Sequence, residues 1–67
     1  MKMNFFAIVD KSKKDITFYS AKIGWTKDIK NLYMTDLYPT KNAASLIISQ
    51  DNLKTAAFAK VTLEITL

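Results

Sequence analysis

Six of the ten lysines, Lys11, Lys13, Lys14, Lys22, Lys27 and Lys30, crowd into residues 11–30, interleaved with Phe18, Tyr19 and Trp25. A basic stretch that carries stackable aromatics is how single-stranded nucleic acid is held without sequence preference. The same lysines serve equally to meet an acidic protein face. Asp10, Asp15 and Asp28 dilute the cluster. The plain alternative places Phe18 and Trp25 in the core, with the lysines solvating a hairpin tip.

Catalytic chemistry has less to work with. The carboxylates Asp10, Asp15, Asp28, Asp36, Asp51 and Glu64 are spread along the chain, so no acid–base pair is marked out. One glycine rules out a glycine-rich phosphate loop. A lysine nucleophile needs a desolvated pocket, which 67 residues hardly enclose. The chain has no histidine, no cysteine and no arginine. Those absences remove the usual near-neutral proton carrier, the thiolate nucleophile, ordinary zinc sites and bidentate base reading. The expectation is a protein with no enzymatic activity, no metal and no cofactor that acts through its surface.

Size sets a second bound. A chain of 67 residues makes one domain, residues 1–67, and one small core. Such a chain buries only about 60% of the surface it exposes when unfolded. Disulfides and structural metals are closed to it, which leaves self-association as the available aid. The net charge of +4 is carried entirely by lysine. It favours nucleic acid or acidic partners, and it is also what an AT-rich genome writes. The first apolar run, residues 5–9, is shorter than the roughly 7–15 residues of a signal-peptide core. No run approaches the roughly 18 apolar residues of a membrane span. The reading is a cytoplasmic chain with no membrane partner.

Patterning gives the elements that would position these side chains. Residues 3–9 are aromatic and β-branched and read as a strand; 11–15 read as a hairpin loop, and 16–21 alternate as a second strand. Gly24 follows in a turn that needs its backbone freedom. Residues 25–38 predict one or two helical turns capped by Thr26, then a loop. Pro39 ends that segment, and Thr40 caps a helix whose stripe is Ala43, Ala44, Ile47 and Ile48. Asn52 is suited to a left-handed stop. Across 57–67, Ala57, Ala59, Val61, Leu63, Ile65 and Leu67 alternate with Phe58, Lys60, Thr62, Glu64 and Thr66. The architecture expected is α+β: a three-stranded antiparallel sheet, from an N-terminal β-hairpin and a long C-terminal strand, covered by one helix. The middle segment is variable.

With the helix on the odd-numbered face of the last strand, Phe6, Ile8, Tyr19 and Phe58 form an apolar patch on the opposite face. Such a patch marks an interface, and these four residues are the candidate partner-binding anchors. The alternative is that Trp25, Leu32, Tyr33 and Leu37 fold over that face and bury it. A homodimer through a free sheet edge is also expected, although Lys60 and Glu64 are residue types that strands carry to discourage pairing.

The series Gly24-Trp25-Thr26-Lys27-Asp28-Ile29, then Leu37-Tyr38-Pro39-Thr40-Lys41-Asn42-Ala43-Ala44, then a closing apolar strand, forms a layout. It resembles small proteins of phages and prophages from AT-rich Gram-positive bacteria. The resemblance implies an accessory role: binding, and inhibiting or modulating, a larger host protein such as a host enzyme or a CRISPR effector. A non-sequence-specific nucleic-acid module and a structural or regulatory homodimer are the alternatives.

Overall fold

The computed structural model describes residues 1–66; Leu67, assigned above to the apolar face, lies outside the described residues. The strands are β1 (Lys2–Asp10), β2 (Thr17–Ser20), β3 (Gly24–Thr26) and β4 (Ala56–Glu64), with helix α1 (Lys41–Gln50) between β3 and β4. The fold is α+β, a four-stranded antiparallel sheet in the order β3–β2–β1–β4 with one helix packed on it.

β1 is the hub. It pairs with β4 from Lys2 opposite Glu64 to Asp10 opposite Ala56, and with β2 at Val9 and Asp10. Past Phe18, β2 is no longer paired with β1, and further along that edge Tyr38 takes its place. Phe6 and Tyr38 exchange both backbone hydrogen bonds, at 2.7 and 2.8 Å. A strand flanked on both edges and covered on both faces must be apolar at consecutive positions, not alternate ones. Residues 5–9, Phe-Phe-Ala-Ile-Val, meet that need, and Ala7, Ile8 and Val9 are 0% exposed.

Local chemistry fixes the ends of these elements. The Asp10 carboxylate accepts from the Ser12 backbone N–H and hydroxyl at 2.8 and 2.6 Å, starting the loop after β1. Gly24 has φ +80°, the left-handed conformation its turn requires. The Thr40 hydroxyl accepts from the Ala43 N–H at 3.2 Å and caps α1. Asn52 takes φ 59° just beyond the helix.

The sequence reading needs two corrections. Residues 24–26 form a fourth strand, not the start of a helix, because Trp25 lies across from Tyr19 with ring centroids 5.1 Å apart. Aromatic cross-strand pairs favour strand pairing. The helical turns that follow are single 3-10 turns, Ile29–Asn31 and Met34–Asp36. Asp28 caps the first, accepting from the Lys30 N–H at 2.9 Å, while Thr26 accepts from the Asp28 N–H at 3.3 Å.

The second correction concerns facing. The helix covers the face of the even-numbered residues of β1 and β4: Ile8, Tyr38 and Ala44 form its buried centre, with Tyr19 of β2, Ile47, Ile48 and Phe58 packed around them. The odd-numbered face of β4 meets the middle segment instead. Side-chain size accounts for this. Ile8, Phe58 and, from β2, Tyr19 offer large side chains on one face to the isoleucines of α1, whereas Ala7, Ala57 and Ala59 make the middle of the other face shallow.

Candidate functional site

The odd face carries a concave feature. Ile29, Leu32, Tyr33, Met34 and Leu37 of the middle segment face Val61 and Leu63 of β4 across a groove of about 260 Å³. Strand alternation directs Val61 and Leu63 to this face. The far wall is held by Asp36, which is 1% exposed. Its carboxylate accepts from the Ala21 N–H at 3.2 Å and the Tyr33 N–H at 2.8 Å. Ala21 directly follows β2, so this carboxylate ties the middle segment to the end of that strand. At the near end, the Asn31 side-chain amide donates to the Thr26 hydroxyl at 2.9 Å.

The rim is apolar and accessible. Met34 is 65% exposed, Tyr33 46% and Ile29 44%. Lys22 places its ammonium 4.6 Å from the centre of the Tyr33 ring, and Lys30 stands beside Ile29 in the same turn. Asp36 is engaged by two backbone amides, and the exposed Asp28 caps the turn that carries Lys30, so the one charge placed directly against a groove side chain is the Lys22 ammonium. The groove is lined by aliphatic side chains and one tyrosine. It lacks the converging polar groups of a small-molecule site and is smaller than the roughly 300–1,000 Å³ such sites occupy.

The sequence-derived sites are redistributed. Ile8 and Phe58 lie in the helix-side core, and Tyr19 packs at its margin with its hydroxyl donated to Asp51. That hydrogen bond, with burial and the Asp51 charge, pushes the Tyr19 phenol up to about 12. Phe6 is half-buried beneath Lys41, whose ammonium sits 5.7 Å from its ring centre. The four proposed anchors therefore do not form an open patch, because α1 occupies the face they share.

The basic cluster divides as well. Lys11, Lys13 and Lys14 stay exposed in the loop between β1 and β2. Lys27 joins that end through a 3.5 Å contact with Asp15. Lys22 lies at the other end of β2, against Tyr33, and Lys30 lies in the first 3-10 turn. Trp25 packs edge-on against Tyr19 on the helix-side face, so the lysines and aromatics do not line one channel.

Ile29, Met34, Val61 and Leu63 are the groove residues that the sequence reading did not single out. The alternation of β4 already paired Val61 with Leu63, and the signal for a working face lay there. Among the described residues, no three metal-ligating side chains converge and no helix is long and apolar enough to cross a membrane. No family model matches the chain, and no curated protein or solved structure matches it.

Proposed function

We propose that this protein is a non-catalytic binding module whose groove receives an apolar side chain from an acidic segment of a larger protein. The observation that carries the reading is the pairing of an accessible apolar groove with the Lys22 ammonium against its Tyr33 wall, Lys30 lying in the adjoining turn. Binding energy at protein interfaces concentrates in a few anchors seated in desolvated pockets. A groove of about 260 Å³ suits one such anchor. Met34 supports adaptability, since its unbranched thioether reshapes to different occupants. Lys22 and Lys30 favour acidic residues flanking the anchor and speed their approach.

The accessory role implied by the phage-protein resemblance, inhibiting or modulating a host protein in the cytoplasm, is the biological form we propose for this binding. Selection of random displayed peptides against the immobilised chain tests it. Enriched peptides should combine Leu, Phe or Met with neighbouring Asp or Glu. Their affinity should fall at least tenfold in Met34→Lys and remain unchanged in Lys13→Ala. Peptides without acidic character, or affinity indifferent to Met34→Lys, would overturn the proposal. The nucleic-acid alternative predicts binding that falls steeply with salt. We expect a labelled single-stranded oligonucleotide to bind weakly and to dissociate at moderate salt.

A further inference from the structure

β4 lies at the end of the sheet, with β1 on one side and, among the described residues, no neighbouring strand on the other. The direction of its free backbone groups follows from one hydrogen-bonded pair. Met1 and Ile65 exchange bonds, Ile65 N–H to Met1 carbonyl at 2.7 Å and the Met1 amino group to Ile65 carbonyl at 3.0 Å. In an antiparallel ladder, hydrogen-bonded and non-hydrogen-bonded pairs alternate. The odd-numbered residues of β4 therefore bond to β1, and Lys60, Thr62 and Glu64 direct their N–H and C=O groups outward. All three are exposed, and the helix-side core lies over the other half of the strand, at Ile8 and Phe58.

The geometry points to a two-fold dimer in which β4 pairs antiparallel with β4 of a second copy, with Thr62 on the axis. In that register Lys60 stands opposite Glu64 of the partner subunit, and Glu64 opposite Lys60 of the partner subunit. Shifting the axis to Lys60 or Glu64 sets like charges face to face, and shifting it to Val61 sets Glu64 against the partner's Phe58. Only the Thr62-centred register makes both charge pairs attractive, and opposite charges directly across a sheet stabilise pairing.

Neighbouring side chains extend the match. Lys2 lies opposite Glu64 within the chain, so the row Lys2, Glu64 and the partner's Lys60 alternates in sign. The Thr62 hydroxyl already bonds Asn4 at 3.0 Å, which extends a polar ladder to the axis. On the other face, Val61 meets Leu63 of the partner subunit. That contact joins the rims of the two grooves into one apolar surface. A lone lysine guards an edge; a lysine and a glutamate placed symmetrically about a threonine make that edge self-complementary. The interface goes beyond the binding role proposed above and stands whether or not the groove has an occupant.

Sedimentation equilibrium on the full chain tests the register, with folding of each variant checked by circular dichroism. The wild type should reach twice the 7.6 kDa chain mass at micromolar concentration. Lys60→Glu and Glu64→Lys should each weaken association about tenfold, since like charges opposite one another are destabilising. The double reversal should restore it. Amide hydrogen exchange gives a readout that needs no variant: the N–H groups of Lys60, Thr62 and Glu64 should gain protection as concentration rises. A single-chain mass up to millimolar concentration would overturn the proposal. So would single reversals that dissociate the dimer without rescue by the double reversal.

Discussion

Ile8→Ala separates the observed facing of the sheet from its alternative. Ile8 is 0% exposed and packs between Tyr38 and Ala44, with Phe58 across the strand pair. The change deletes three carbons, a transfer cost of about 2.4 kcal/mol at roughly 0.8 kcal/mol per buried methylene. Incomplete collapse of the site adds a cavity term, for a total of about 3–4 kcal/mol, inside the range measured for such truncations. A domain of this size has about 3–10 kcal/mol to lose, at roughly 0.05–0.15 kcal/mol per residue. Urea unfolding followed by far-ultraviolet circular dichroism reads the effect as a lower midpoint at constant slope. Ile8→Val, expected to cost about 0.5–1.5 kcal/mol, keeps the series measurable if the alanine variant is largely unfolded. Met34→Ala, at an exposed position, should change stability by less than about 0.5 kcal/mol. A midpoint for Ile8→Ala no lower than that of Met34→Ala would refute the assigned facing.

Three further outcomes follow from polar groups. Asp36→Ala leaves the Ala21 and Tyr33 amides without their acceptor and should cost about 1–3 kcal/mol in the same urea assay; a neutral result would mean that this carboxylate does not anchor the middle segment. The Tyr19 phenol, raised from 10.0 to about 12 chiefly by its hydrogen bond to Asp51, contributes stability fully below pH 10.0, and loses it as pH rises through about 12. Phenolate absorbance should therefore contain a step near 12 that disappears in Tyr19→Phe. Asp10 is held below its ordinary value of 3.8, first by the Ser12 hydroxyl and then by the Ser12 N–H, with burial opposing. Its contribution is present above pH 3.8 and lost as pH falls through the lower folded value. Thermal midpoints should decline over that acid window in the wild type and decline less in Asp10→Asn.

The elements were readable where one residue carries the signal. Thr40 caps the helix, Asn52 stops it, Gly24 takes the turn, and the period-two run of β4 forms a strand, all as the side-chain chemistry dictates. Facing was not readable from β4. Its alternation distinguishes two faces but does not say which one a helix will cover. That choice depends on Ile8, Tyr19 and Phe58, three residues far apart in sequence that share a surface only once β1 pairs with both neighbours. The apolar run at 5–9 carried the relevant signal, since a strand apolar at consecutive positions is covered on both sides. β3 was missed because a three-residue strand has no period to detect, and its stability comes from Trp25 meeting Tyr19. The groove was missed for the related reason that 3-10 turns present apolar side chains without helical regularity.

The central claim is that the working surface lies between the middle segment and β4. Amide chemical-shift mapping tests it most directly, by titrating the uniformly labelled full chain with an acidic, leucine-containing peptide obtained by selection. The account predicts shifts concentrated at residues 29–37 and 61–64, lost in Met34→Lys, with the loop at 11–16 unmoved. Shifts centred on Lys11, Lys13 and Lys14, or on the exposed face of α1, would contradict it.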